Sequence, residues 1–168
     1  MTTLPQYVTE TVVENPLDII EELVEGETWA FERSTDDELN ISASGSWCDY
    51  QITLSWREEL ESLHLACAFD LKVPENKRSE IYALLGLLNE QQWAGHFDLW
   101  SDEGMLLYRY TLLLQGVSSV TPEQCETLLK LSLDTCERFY PAFQFVLWAG
   151  KSAQEAVSAC MFETEGQA

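Results

Sequence analysis

The chain has 168 residues, enough for one ordinary domain that can bury a core without disulfide or metal staples. Nine Lys and Arg stand against 29 Asp and Glu, a formal net charge of −20, and up to Glu61 the only basic residues are Arg33 and Arg57. Such a field repels phosphate backbones and anionic lipid, which argues against direct nucleic-acid binding and against a membrane surface as partner.

Residues 1–14 are polar and unperiodic and read as a flexible N-terminal arm. A helix opens at Asn15, a good N-cap, with Pro16 at its first position. Leu17, Ile20, Leu23 and Val24 make one apolar stripe on it, and Gly26 supplies the stop. Period-2 segments follow. Trp29 to Arg33 and Leu39 to Ala43 alternate on either side of the turn residues Asp36 and Asp37. Tyr50, Ile52, Leu54 and Trp56 then interleave with polar residues, and Leu63, Leu65, Cys67, Phe69 and Leu71 complete a four-strand meander whose short turns imply antiparallel pairing.

After Pro74 the period changes to helical. Ile81, Leu84, Leu85 and Leu88 predict a helix over residues 79–93 that covers the sheet and ends at Gly95. Phe97 to Trp100, the turn at residues 101–104 and the run 105–114 predict a hairpin. Its second strand is apolar on both faces, with Met105, Leu107 and Leu113 on one and Leu106, Tyr108, Tyr110, Leu112 and Leu114 on the other. Thr121, Pro122 and Gln124 combine an N-cap, Pro at N1 and a capping box, opening a helix whose inner face holds Cys125, Leu128, Leu129, Leu133 and Cys136. Pro141 is expected to break or bend it, and Gly150 to close it. A last helix is capped by Ser152 with Glu155 three residues on, and residues 163–168 read as frayed. The expectation is a single α+β domain over residues 15–162, with an antiparallel sheet of four meander strands plus a hairpin packed against helices.

Five cysteines without a C-x-x-C spacing fit reduced, buried thiols. The N-terminus shows no basic leader or apolar signal core, and no apolar run reaches the length of a membrane span, so the expected location is the cytoplasm. No catalytic, cofactor-binding or metal-ligating set emerges. Gly150-Lys151-Ser152 resembles the end of a phosphate loop, but Phe145 stands where the first glycine belongs and the context is helical, so a helix cap is the better reading. A calcium loop at residues 98–109 fails because Trp100, Glu103 and Arg109 occupy ligand, glycine and closing positions. His64, three residues from Cys67 along a strand, projects from the opposite face, which rules out a local thiol–imidazole dyad. His64 and His96 cannot make a zinc set with scattered cysteines.

The order and spacing of Leu88-Asn89, Gly95-His96-Phe97, the run from Gly104 to Tyr110, Tyr140-Pro141-Ala142 and the run from Gly150 to Ala156 resemble the YbjN family, bacterial proteins described as sensory transduction regulators. The resemblance spans about Asn15 to Ala156. It implies a fold similar to type III secretion chaperones, small acidic cytoplasmic proteins that commonly dimerise and hold secretion substrates. It supplies no catalytic residues, and it implies structural roles for Asn89, Gly95 and Gly104 in helix termination and a tight turn.

The functional expectation is a non-enzymatic protein-interaction module, chaperone-like or regulatory, that binds a protein partner or a second copy of itself. Met105, Leu107 and Leu113 are the candidate partner or dimer surface. The competing expectation is a small-molecule binder or enzyme with an acidic pocket.

Overall fold

Asn15 starts the first helix as its sequence requires: the side-chain oxygen accepts the N–H of Leu17 at 3.0 Å, and Pro16 fills the first turn of α1 (Pro16–Glu25). Ten residues alone would be marginal as a helix, so the packing of Leu17, Ile20 and Val24 holds it, each fully buried side chain contributing about 1.5–3 kcal/mol. Gly26 closes the helix in ordinary right-handed geometry and makes no use of a glycine's left-handed freedom.

The computed structural model describes residues 12–165, with side chains to residue 162. The eleven residues that begin the expected arm lie outside that range. Of its last three, Val13 is buried and the Glu14 N–H donates to the Ser118 carbonyl at 2.9 Å. At the other end the last helix continues to Glu165, and residues 166–168 lie outside the description.

The strands are β1 (Ala30–Thr35), β2 (Glu38–Ser44), β3 (Asp49–Arg57), β4 (Ser62–Lys72), β5 (His96–Trp100) and β6 (Met105–Leu113). They form one antiparallel sheet in the order β1-β2-β3-β4-β6-β5, so the hairpin joins the meander through its second strand. Between β3 and β4 the chain makes a short 3-10 turn at Glu58–Leu60, closed by Glu61 in the left-handed region.

Alternation decides the two faces. Leu39, Ile41, Ile52, Leu54, Leu65, Cys67, Phe97 and Tyr108 point to one side and enter a single core with the helices. Over that side lie α1, packed on β2 and β3, α3 (Pro122–Leu147), packed on β4 and β6, and α2 (Arg78–Asn89), packed on β5, while α4 (Ala153–Glu165) packs on α2 and α3. The α+β architecture expected from the periodicities is the architecture observed.

Two helix expectations need correction. First, α2 stops at Asn89, short of residue 93, and the Asn89 side chain ties that end to β5: its amide donates to the Phe97 carbonyl at 3.0 Å and its oxygen accepts the Phe97 N–H at 2.8 Å. Second, α3 runs unbroken through Pro141. Proline has no N–H and leaves the carbonyl four residues earlier, that of Glu137, without its helical donor. The indole N–H of Trp47 supplies one at 3.2 Å, and the Trp47 ring stacks on Tyr140 at 6.1 Å. The capping boxes read from sequence are both present: Thr121 with Gln124, and Ser152 with Glu155.

The loop carrying Trp47 is fixed to α3 by a second device. Both carboxylate oxygens of Glu137 accept the Ser46 N–H, at 3.0 and 3.1 Å. Gly45 sits in the same gap, where a Cβ would collide with the Glu137 carboxylate and the Tyr50 ring. Gly45→Ala is therefore expected to cost about 1–3 kcal/mol through overpacking and loss of the Glu137 bonds. Urea unfolding would show it as a lower midpoint with an unchanged slope, and an unchanged midpoint would contradict the account.

Candidate functional site

The second face of the sheet carries no helix among the described residues. Its members alternate with the core set: Glu38, Asn40 and Ser42 on β2, Gln51, Thr53 and Ser55 on β3, His64, Ala66 and Ala68 on β4, Met105, Leu107, Arg109, Thr111 and Leu113 on β6, and His96, Asp98 and Trp100 on β5. The β1–β3 half is polar and bonded within itself. Thr53 donates to the Asn40 oxygen at 2.8 Å, the Asn40 amide donates to the Ser34 hydroxyl at 2.7 Å, and the Gln51 amide donates to the Ser42 hydroxyl at 3.0 Å. The β4–β6–β5 half is more apolar and contains the three surface candidates.

Those three do not form one exposed patch. Leu113 is 70% exposed, Met105 is half-buried, and Leu107 is 1% exposed although it belongs to neither the helices nor the core. In register Leu107 lies between Ala68 and Asp98, with Met105 and Arg109 before and after it on the same face. Leu107 is thus buried within this chain and offers little surface to a partner. Sequence alternation places Leu107 on the correct face and says nothing about its cover.

Beside Leu107 a small charged cluster bridges three strands. Arg109 donates from Nη1 to Asp98 at 3.1 Å and from Nε to His64 Nε2 at 3.2 Å. With both partners 36% exposed, the Arg109–Asp98 pair is a surface ion pair of modest energy. Because His64 accepts through Nε2, its neutral ring carries the proton on Nδ1.

The thiols sit on the other face, in the core. Burial raises Cys125 to about 11 and raises Cys136 well above its ordinary value, with Cys67 as its neighbouring thiol, and it raises the partly exposed Cys48 as well. Thiols held protonated are poor nucleophiles, and His64 is separated from Cys67 by the thickness of the sheet. Tyr50 keeps a buried hydroxyl without a well-formed hydrogen bond. Burial, with the Glu137 carboxylate close by, drives its ionisation far above the usual range. Among the described residues no three His, Cys, Asp or Glu side chains converge to hold a metal ion, and no helix is long and apolar enough to cross a membrane.

Surface grooves lined by described residues flank α3. One of about 490 Å³ lies between the end of α1 and α3, lined by Leu23, Trp29, Leu129 and Leu133 with Glu27, Glu126, Lys130 and Asp134 at its rim. A second of about 290 Å³ runs between α3 and the end of β6, over Tyr110, Leu112, Leu128 and Leu131. A third of about 430 Å³ continues from Leu131 toward Trp93 and Phe139. Sequence periodicity could not show the grooves, because they arise where helices of different direction meet the twisted sheet.

This is the class of one-sided antiparallel sheets backed by helices, with a polar and apolar face left open. The chain belongs to the YbjN family: the family profile, described as "Putative bacterial sensory transduction regulator", matches residues 16–145. Among solved structures it is similar to "YbjN, a putative transcription regulator from E. coli", with a TM-score of 0.53 and 14% identity over 72% of this chain and 85% of that one, a likeness of fold. No curated protein matches the sequence.

The His64 cluster has a measurable consequence. Burial first, then the charge of Arg109, with smaller effects of His96 and Arg57, holds the ring below its ordinary value of 6.5. The unfolded chain takes up this proton as pH falls below 6.5 and the folded chain resists it. The His64 contribution to stability is therefore intact above pH 6.5 and is eroded from there down through the folded midpoint. An NMR titration should place the His64 midpoint below 6.5. Arg109→Met should move it upward while burial still keeps it below 6.5, and a wild-type midpoint at or above 6.5 would refute the assignment.

Proposed function

We propose that this chain is a non-enzymatic protein-interaction module of regulatory or chaperone-like type, acting in the cytoplasm through the uncovered face and rim of its sheet. The carrying observation is the contrast between the two faces. One is filled by helices, while the β4–β6–β5 half of the other leaves Trp100 exposed beside half-buried Met105 at one end and Leu113 exposed at the far end of β6. Apolar groups left at a rim in a chain of charge −20 are most useful where another polypeptide covers them. The family description as a sensory transduction regulator supports a role exercised through other molecules. The raised ionisation of the buried Cys125 and Cys136 thiols, and the sheet that separates His64 from Cys67, favour binding over bond making.

A second reading rests on the groove between α1 and α3. At about 490 Å³, with apolar walls and an acidic rim, it is of ligand size and would suit a small cationic molecule. A thermal-shift screen with amines, cationic metabolites and metals discriminates the two readings, since a selective ligand must raise the melting temperature.

The interaction reading predicts that the protein with Met105 and Leu113 both changed to Asp loses the partners, or the self-association, that the wild type shows. The check is quantitative mass spectrometry of cross-linked proteins from its own cell, with sedimentation to read oligomeric state. Circular dichroism of both forms establishes that the fold is equal. Leu107 is left unchanged because a charge there would be buried and would destabilise the sheet. An identical set of cross-linked proteins and an identical oligomer would reject this surface.

A further inference from the structure

The two free stretches at the β5–β6 side of the sheet are treated differently by the fold. The Leu114 N–H donates to the Glu61 carbonyl at 2.8 Å, which fixes the antiparallel phase: even-numbered residues of β6 bond to β4, and odd-numbered ones turn N–H and C=O the other way. Met105, Leu107 and Arg109 find β5 there. The same phase sends Phe97 and Leu99 of β5 outward, and both outward amides are satisfied by side chains, Phe97 by Asn89 and Leu99 by the Asp98 carboxylate at 2.9 Å. The outer edge of β5 is plugged.

The second half of β6 is not. β5 begins only at His96, opposite Arg109. Before it, Gly95 in the left-handed region turns the chain away, and the Tyr108 hydroxyl fixes that course by donating to the Ala94 carbonyl at 2.6 Å. Thr111 and Leu113 therefore present N–H and C=O to a side that β5 has vacated, and among the described residues no loop or side-chain hydrogen bond reaches them. Under this edge runs the groove over Tyr110, Leu112, Leu128 and Leu131, which continues past Leu131 toward Trp93. Glu123 stands at its Leu112 end with no cation lining that part. Farther along, Asp134 is already paired with Lys130 at 2.9 Å, and Arg138 lies over the Phe139 ring.

We propose that the free edge of β6 at Thr111 and Leu113 accepts an extended segment of a partner protein as an added strand, with alternate apolar side chains in the groove beneath and a basic residue against Glu123. This rests on the interaction reading above and names the site and chemistry of the partner. Main-chain bonds would give affinity, and the groove would give selectivity. The unpaired carboxylate favours a cation, and two copies each carrying −20 repel, which favours a basic partner over self-pairing.

The probe is a fluorescent heptapeptide with lysine at both ends, leucine at its third and fifth positions and threonine between, which reads the same from either end. It should bind the full chain and slow amide exchange at Thr111 and Leu113, read by NMR. Thr111→Pro, which removes one outward donor at a position where an edge tolerates proline, should weaken it by about tenfold or more. Glu123→Gln should weaken it too, and a version with glutamate at both ends should bind less. Undiminished binding to Thr111→Pro, protection appearing along β1, equal binding of the glutamate form, or no binding at all would each overturn the proposal. It is also overturned if the two amides are already protected in the free protein and lose protection when residues 1–11 are deleted, or gain it as protein concentration rises. The first outcome would assign the edge to the chain's own terminus, the second to another copy. Should the peptide fail while the Met105 and Leu113 substitutions still alter the cross-linked partners, the edge is excluded and the interaction reading stands.

Discussion

Everything in this fold depends on a cluster of aromatic rings that ties the sheet to one long helix. Phe97 of β5 lies 5.3 Å from Tyr108 of β6, and Phe69 of β4 lies 6.0 Å from both Phe97 and Tyr50. Phe143 of α3 closes on Phe69 and Phe97 at 5.4 and 5.5 Å, and Phe139 joins at 5.8 Å. These edge-to-face contacts link four strands to a single helix, each pair adding about 0.5–1.5 kcal/mol beyond the area it buries. With α3 so anchored, α1 and α2 have defined flanks to fill, and the apolar supply of the strands is used up on one side.

The uncovered face follows from that economy. β2 and β3 devote every second residue to the core and leave short polar side chains outside, bonded to one another. β6 is the exception, because Leu107 and Leu113 add apolar groups on the outer side. Leu107 is buried, while Leu113 is left at the rim, where β5 has ended. The molecule thus has an inert outer half and a rim that differs from it in both polarity and backbone saturation.

Much of this was legible in the chain. The caps at Asn15, Thr121 and Ser152, the meander and the hairpin, and the inner and outer members of each strand could be read locally, since a cap needs three or four residues and a strand face needs only alternation. Three features could not. The periodicity reads a helix to residue 93, yet α2 ends at Asn89, whose side chain bonds the Phe97 backbone. Pro141 reads as a break or bend, but α3 is continuous through it, and Trp47, far away in sequence, supplies a donor to the freed Glu137 carbonyl. Leu107 reads as a surface residue, but it is buried in the folded chain.

The sequence by itself determined the elements, their faces and the acidic field, because these depend on local periodicity, capping and charge. Only the tertiary structure decided that β4 lies beside β6, that β5 covers half of its partner, and which outward amides are met by side chains. Those outcomes depend on pairings between residues distant along the chain, and a period of two specifies which way a side chain points without specifying which strand stands next to it.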